Sequence, residues 1–306
     1  MRFVVLIVLM ALAQKGFTYT PQPLPDATLA PAPNMSISLI KTGHSNGALE
    51  AIIVNGGSWF KLRYLTHNAL FIEHPKGNLL LDTGVGKGTR EAFSENSWFH
   101  QLLFAYELTT SAADQLQQAG IPLSSIAGVI PTHLHWDHSG GIPEFPHTPI
   151  WIQDVALEHA RTGHAPSFFQ SHIESPDTQW FSYELDEIPY EGFERSKDIY
   201  HDGRLILVDL SGHTPGHTGL FVNFDSGKRY FFIGDTSWTL EGVTKAEPRP
   251  SMTQWLTGVD EQRDENSLVL QKVHALSKQY PDLVIVPAHD ENAAKLLPQF
   301  PERGGQ

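Results

Sequence analysis

The sequence predicts an α/β protein in which helices cover a core of β-sheets. Short runs rich in β-branched and aromatic residues alternate along the chain with segments of helical periodicity. Residues 283–286 are apolar throughout, as expected of a strand that is buried on both faces. Strands mixed with helices over most of the chain favour layers of helix packed on sheet.

Turn residues, helix caps and hydrophobic periodicity predict the individual strands and helices. The apolar runs 69–73 and 79–82 are joined by turn residues and predict a β-hairpin. The stretch 111–119 predicts a helix, with Ser111 as its N-cap and Gly120 as its stop. Further elements are expected at 128–132 (strand), within 151–161 (helix), at 204–210, 219–224 and 230–233 (strands) and at 265–279 (helix).

The composition excludes several classes of protein. Apolar residues make up 41% of the 306 residues and charged residues 18%, whereas intrinsic disorder requires low hydrophobicity and high charge. The formal net charge of −13 disfavours a nucleic-acid partner, because binding phosphates needs a basic surface. The chain has no cysteine, which excludes disulfides, thiolate nucleophiles and zinc sites built on sulfur. It has 16 histidines, which are the first candidates for catalytic or metal-binding residues.

The two ends of the chain differ from the body. In residues 1–13 one arginine precedes an apolar run that ends in Ala-Leu-Ala, which is typical of a secretory signal peptide ending between 13 and about 20. Since a bilayer span needs about 20 apolar residues, this run predicts export to the periplasm or medium, without stable membrane insertion after cleavage. Residues 20–34 are expected to form a proline-rich arm and residues 35–300 a single folded domain, and the tail from Pro298 is expected to be frayed.

A cluster of metal-binding side chains follows the strand at 128–132. The segment Thr-His-Leu-His-Trp-Asp-His-Ser-Gly-Gly places His133, His135, Asp137 and His138 within six residues. Imidazole nitrogen and carboxylate oxygen both bind zinc. Four donors on so short a loop cannot all reach one ion with tetrahedral geometry, so the segment predicts two ions.

Three later residues extend this cluster. His213, Asp235 and His289 each come directly after a predicted strand. Because ligand sites in α/β proteins collect at the carboxyl ends of strands, these side chains are expected to converge with the cluster after residue 132.

Taken together, the segments 132–141, Gly-His-Thr-Pro-Gly-His at 212–217 and Gly-Asp-Thr-Ser-Trp at 234–238 resemble the metallo-β-lactamase superfamily. The resemblance runs from the Leu-Asp-Thr-Gly turn at 81–84 to His289 and implies a four-layer αβ/βα sandwich with metals at one edge. It implies that His133, His135 and His213 hold one zinc, that Asp137, His138 and His289 hold a second, and that Asp235 bridges them. It also implies a structural role for Asp82 and a supporting role for His217.

Within that superfamily, the segments resemble the quorum-quenching N-acyl homoserine lactonases most, followed by the organophosphate hydrolases. The resemblance implies a dinuclear zinc hydrolase that opens a lactone, in first place an N-acyl homoserine lactone, by attack of a metal-bound hydroxide, and the signal peptide adds export to this prediction. Iron, cobalt or manganese would suit the same donors. The lactonases place a tyrosine three residues after the bridging aspartate, where this chain has Trp238, whose only donor is an indole N–H.

These relatives imply roles for particular side chains. Asp137 would pass on a proton, Asp235 would hold both ions at the reaction centre, Trp238 would donate to the developing oxyanion, and Trp136 would form part of the substrate floor. The substrate would be a small molecule with an ester-like carbonyl and an apolar tail lying along the aromatic loops. Alternatives are an organophosphate or aryl ester hydrolase, a zinc β-lactamase, which the bridging aspartate disfavours, and a non-catalytic metal-binding domain. The oligomeric state is not predicted.

Overall fold

The computed structural model describes residues 34–305. The predicted signal peptide, and the proline-rich arm up to residue 33, lie outside the described residues. The described chain folds into two β-sheets that face each other and carry helices on their outer sides. The predicted α/β class and four-layer αβ/βα sandwich are therefore confirmed.

The strands are β1 (Ser36–Ser45), β2 (Ala48–Leu49), β3 (Leu62–Arg63), β4 (Thr66–Glu73), β5 (Asn78–Leu81), β6 (Tyr106–Leu108), β7 (Ile126–Ile130), β8 (Pro149–Ile152), β9 (Gln179–Ser182), β10 (Ser196–Asp198), β11 (Leu205–Asp209), β12 (Thr218–Asn223), β13 (Arg229–Phe232) and β14 (Leu283–Val286). β2 and β3 pair with each other as a separate two-stranded ribbon. The other strands build the two large sheets.

The helices are α1 (Glu50–Ile53), α2 (Thr89–Ser94), α3 (Trp98–Leu103), α4 (Ala112–Gln118), α5 (Trp136–Ser139), α6 (Asp154–Thr162), α7 (Gln170–Ile173), α8 (Leu240–Lys245), α9 (Ser251–Thr257), α10 (Arg263–Gln279) and α11 (Glu291–Ala294). The predicted helix at 111–119 is confirmed as α4, whose N-cap Ser111 accepts a hydrogen bond from the Asp114 backbone N–H at 3.3 Å. Among residues 34–305, no helix combines the length and apolar character that crossing a membrane requires.

The larger sheet has seven strands in the order β6-β1-β4-β5-β7-β8-β9. β4 and β5 pair antiparallel with Leu70 opposite Leu81, so the predicted hairpin is confirmed. From β5 to β9 the neighbouring strands run parallel. The amino end of β4 and the carboxyl ends of β5 and β7 therefore meet at one edge of this sheet.

The smaller sheet has the order β10-β11-β12-β13-β14. Its first four strands are antiparallel, whereas β14 runs parallel to β13 with Phe232 opposite Val286. The segments that follow β13 and β14 consequently leave the sheet at the same edge. The strands predicted at 204–210, 219–224, 230–233 and 283–286 are confirmed to within one residue at each end.

Alternating strand residues build separate layers of the core. In β4, Leu70 faces the other sheet and packs in the cluster that contains Leu207 and Phe232, while its neighbour Phe71 faces outward toward Leu116 of α4. The outer face of the smaller sheet is covered by α10. Because both faces of each sheet are buried, the sequences of the strands are nearly continuous runs of apolar residues.

The strand predicted at 128–132 begins and ends two residues earlier, as β7, whereas the helix predicted within 151–161 is confirmed as α6. The stretch 151–161 begins as strand, since Trp151 and Ile152 belong to β8 and pair with β9, and the helix α6 starts only at Asp154. An apolar run of this length satisfies either a buried strand or the first turn of a buried helix. Pairing with β9, which is distant in sequence, decides for the strand.

The expected fraying of the tail is wrong. The backbone N–H of Leu39 donates to the carbonyl of Pro298 at 2.8 Å, and Ile37 and Gly304 exchange two backbone hydrogen bonds. β6 covers β1 only over residues 43–45, so the first half of β1 presents free backbone groups on that side. The tail satisfies these groups and closes the edge of the sheet.

Candidate metal centre

The seven residues predicted to bind metal lie together where the edges of the two sheets meet. They come from the loop after β7 with the short helix α5, and from the turns that follow β11, β13 and β14. In chain order they are His133, His135, Asp137, His138, His213, Asp235 and His289. Six of these side chains are buried, whereas that of Asp137 is 15% exposed. The convergence follows from the strand directions, which bring these turns to one place.

One group of donors consists of three histidines. Nε2 of His213 lies 3.2 Å from Nε2 of His133 and 3.1 Å from Nδ1 of His135. The three ligand atoms lie within 4.8 Å of one another. This arrangement aims three imidazole nitrogens at a single point.

A second group lies beside it and is shared through Asp235. Nε2 of His138 is 3.2 Å from Nε2 of His289, and Oδ1 of Asp235 is 3.2 and 3.0 Å from these two nitrogens. Oδ2 of Asp137 is 3.5 Å from Nε2 of His289. The other oxygen of Asp235, Oδ2, is 3.5 Å from Nε2 of His213, so this carboxylate faces both groups.

The charge states of the donors suit metal binding. Burial lowers the pKa of His133 and His135 well below 6.5, so these imidazoles are neutral and keep a lone pair. Burial acts to raise the pKa of Asp235, but the neighbouring His289 and His138 outweigh it and hold that pKa well below its usual range. The neutral nitrogens of His133 and His135 and the charged carboxylate of Asp235 are donors that divalent metal ions such as zinc accept.

Hydrogen bonds behind the donors orient the rings of His138 and His289. Oδ2 of Asp82 lies 2.9 Å from Nδ1 of His138, and its Oδ1 accepts from the Thr132 backbone N–H at 2.7 Å. Asp82 adopts a left-handed backbone conformation with φ 58°, which turns its carboxylate toward the centre. The carbonyl of Thr66 lies 2.8 Å from Nδ1 of His289. Such contacts on the far nitrogen fix which ring nitrogen faces a metal.

His213 is held by a network that sequence reasoning missed. Its Nδ1 is 3.0 Å from Oδ1 of Asp260, and the same oxygen accepts from Nη1 of Arg249 at 2.5 Å. Arg249 also donates to the backbone carbonyl of Asp235. Arg249 precedes α9 and Asp260 follows it, in short connections where no spacing signal distinguishes them from other polar loop residues.

His217 lies beside the centre with both ring nitrogens engaged. Nδ1 is 3.1 Å from the Leu210 carbonyl, and Nε2 accepts the backbone N–H of Asp235 at 3.3 Å. Burial lowers the pKa of His217 to about 3. The ring is therefore neutral and supports the turn that carries Asp235, which agrees with the supporting role implied by the resemblance.

The two tryptophans proposed as substrate contacts are both buried but make different contacts. Nε1 of Trp238 donates to Oδ2 of Asp235 at 2.9 Å, and Arg249 stacks over the indole at 4.6 Å. Its only donor is thus engaged, so donation to an oxyanion would require this bond to be released. Trp136 is buried between Tyr106 and Phe93, with ring centroids 5.0 and 5.3 Å away, and borders the cleft. The predicted substrate contacts of both residues stay predictions.

The two donor groups border a cleft that opens to solvent. One part of its lining is polar and contains His67, His135, Asp137 and Asp235. The remainder is largely apolar and includes Leu65, Leu102, Leu103, Phe104, Trp136 and Val259. A cleft of this kind suits a small molecule with a polar reacting group and an apolar portion.

Comparison with known proteins places the chain among metal-dependent hydrolases. A probable metallo-hydrolase of Mycobacterium tuberculosis is 29% identical over 292 residues, which cover 89% of this chain and 87% of that protein. The N-acyl homoserine lactonase AttM of Rhizobium radiobacter is 24% identical over 241 residues, covering 76% of this chain and 84% of the lactonase.

A solved structure shares the fold. The N-acyl homoserine lactone hydrolase crystallised with N-hexanoyl-L-homoserine at its catalytic metal centre is 20% identical, with a TM-score of 0.68 over 89% of this chain and 99% of that one. The sequence pattern of the metallo-beta-lactamase superfamily matches residues 62–289, which include all seven donors. The predicted membership is confirmed, and the chain belongs to the metallo-beta-lactamase superfamily and is a metal-dependent hydrolase.

Proposed function

We propose that this protein is a lactonase that opens the ring of N-acyl homoserine lactones with the help of two zinc ions. One observation carries the proposal: Asp235 faces two adjacent donor groups that border a cleft whose remaining walls are largely apolar. The similarity to AttM and to the solved lactone hydrolase supports the choice of substrate.

The residues that would hold the ions divide as the two donor groups do. His133, His135 and His213 would hold one ion, Asp137, His138 and His289 the other, and Asp235 both. When bound, a zinc pair supplies Lewis acidity toward the carbonyl and a water of lowered pKa. Zinc is the proposed metal because imidazole and carboxylate donors bind it, although the same donors also suit iron, cobalt and manganese.

Asp137 is the donor best placed to move a proton. Its side chain is 15% exposed to the cleft, whereas that of Asp235 is 4% exposed. In the reaction, the oxygen of water bonds to the lactone carbonyl carbon, the ring C–O bond breaks, and a proton goes to the departing ring oxygen. The carboxylate of Asp137 can carry this proton from the water to that oxygen.

The apolar wall would bind the acyl tail. Leu65, Leu102, Phe104 and Val259 come from three separate segments and line the cleft beside the donors. Burial of a hydrocarbon chain there contributes roughly 0.8 kcal/mol per methylene. A longer acyl chain is therefore expected to bind more tightly until it extends beyond the wall.

The test is a comparison of substrates with the zinc-loaded protein. Initial rates of acid release would be measured with a short- and a long-chain N-acyl homoserine lactone, an aryl ester, a phosphotriester and a β-lactam. The proposal predicts that the lactones give the highest kcat/KM and that His133→Ala abolishes their turnover. A protein with two bound ions that prefers the phosphotriester or the β-lactam would contradict the lactonase proposal.

We also propose export to the periplasm or medium, supported by the apolar run at 3–13 after Arg2. Fractionation of cells that express the full chain with a C-terminal tag tests this. The expected product is a shortened chain outside the cytoplasm, with its new N-terminus between residue 14 and about residue 21. A full-length cytoplasmic product would contradict export.

A further inference from the structure

A histidine outside the predicted ligand set lies at the second donor group. His67 is in β4, near the amino end of the strand, and it is 4% exposed. Neither of its ring nitrogens has a hydrogen-bond partner within residues 34–305. A buried imidazole with two unpartnered nitrogens is costly unless something else binds it.

The surroundings of His67 are those of a metal ligand. Its Nδ1 lies 3.3 Å from Oδ2 of Asp137 but makes no hydrogen bond to it. The same carboxylate oxygen is 3.5 Å from Nε2 of His289. Ligand atoms of these three residues lie within 4.8 Å of one another, the same spacing as in the His133 group. Side-by-side donors without mutual hydrogen bonds are expected when an ion lies between them.

The backbone holds His67 in this position. The Thr66 N–H donates to the carbonyl of His289 at 3.1 Å, so the two ligand-bearing segments are joined directly. The hydroxyl of Thr42 donates to the carbonyl of His67 at 3.0 Å. The register of β1 against β4 shifts between Lys41 and Gly43, opposite His67, and such an irregularity redirects the side chains beside it.

We propose that His67 is a ligand of the second metal ion, together with Asp137 and His289. The inference rests on the metal centre of the proposed function but not on the lactone substrate. The second ion then has one more protein donor than the seven-residue set provides. Zinc at catalytic sites accepts a fifth ligand, and the added donor is expected to tighten binding of this ion.

The test compares metal binding by variants without any substrate. His67→Phe keeps an aromatic ring but removes the donors, and His67→Asp supplies a different donor. His172→Phe is the matched control, because His172 is also buried and, among the residues that the structure describes, has no partner on either ring nitrogen and belongs to none of the donor groups. Zinc affinities would be measured by competition with a chelator, and bound ions counted by mass spectrometry.

The proposal predicts that His67→Phe lowers the affinity for one ion by at least about 10-fold, that His67→Asp recovers part of it, and that His172→Phe matches the parent. Equal affinities for both ions in His67→Phe and the parent would overturn it. If His67→Phe does not fold, the position of the second ion would instead be measured by anomalous scattering at the zinc edge from crystals of the parent protein. An ion about 2.1 Å from Nδ1 of His67 supports ligation, and a distance beyond about 3 Å refutes it.

These outcomes separate the two proposals. Absence of lactone turnover with the predicted metal binding contradicts the lactonase proposal alone. A parent protein that binds no second ion overturns both.

Discussion

The Asp260 network offers a quantitative test of how the metal centre is supported. Asp260 is 4% exposed, and one of its oxygens contacts His213, Arg249 and Asn266 at 3.0, 2.5 and 3.1 Å. Burial acts to raise the pKa of Asp260, but Arg249 and His213 outweigh it and keep the carboxylate charged. Asp260→Ala would remove this acceptor from all three partners.

Two losses are expected, and their sizes follow from the burial. The Arg249 side chain is 3% exposed, so removing its carboxylate leaves a buried charge and costs about 3–5 kcal/mol of stability. Releasing Nδ1 of His213 should lower metal affinity by about 10- to 100-fold, since outer contacts orient the ligating nitrogen. Asp260→Asn keeps an acceptor oxygen and should lose less stability and less metal affinity than Asp260→Ala.

The assay combines urea denaturation of the metal-free protein with zinc competition against a chelator. Asp225→Ala is the matched control, because Asp225 pairs with Arg204 at 2.6 Å but its side chain is 79% exposed. An exposed pair of this kind contributes about 0–1 kcal/mol. If Asp260→Ala matched Asp225→Ala in both stability and metal affinity, the assigned role of Asp260 would be refuted.

Three further predictions concern other parts of the molecule. Asp137→Asn should remove most turnover while some metal stays bound, and full activity in a steady-state assay would exclude its proton-transfer and ligand roles. Arg63 is buried at 2% exposure and its side chain contacts four carboxylates, including Asp290 beside His289, so Arg63→Ala should cost about 3 kcal/mol in urea denaturation. Burial lowers the pKa of His172 from 6.5 to about 4. Because the unfolded chain then binds this proton at a higher pH than the folded protein does, the folded protein is destabilised as the pH falls from 6.5 toward 4 and is unaffected by this group above pH 6.5. His172→Leu should therefore reduce the acid-induced loss of stability by up to about 3 kcal/mol, and an unchanged pH dependence would contradict this.

The fold was predictable where apolar runs are bounded by clear turns. β11, β12, β13 and β14 were placed to within one residue for this reason. The residue at which α6 begins within 151–161 could not be predicted, because the apolar residues that precede it suit a strand or a buried helix, and pairing with β9 determines the strand. The tail could not be recognised as ordered, since its order depends on the free edge of β1, which is remote in sequence.

The candidate site was predictable to the extent that its residues follow strands. The seven donors come directly after β7, β11, β13 and β14, and strand direction alone brings such positions to one edge. His67 had a usable signal, because in an antiparallel hairpin the start of β4 lies beside the end of β5 and therefore beside Asp82. No comparable sequence signal marked Asp260, because its position beside His213 depends on the three-dimensional path of residues 236–262.

The most direct test of the central claim is the incorporation of labelled water into the product. A zinc-loaded sample would be incubated with a short-chain N-acyl homoserine lactone in water enriched in oxygen-18, and the product analysed by mass spectrometry. The account predicts an N-acyl homoserine that has gained one labelled oxygen in its new carboxylate, formed faster than in buffer and absent with His133→Ala. An unchanged lactone, or release of free homoserine lactone by cleavage of the amide, would contradict it.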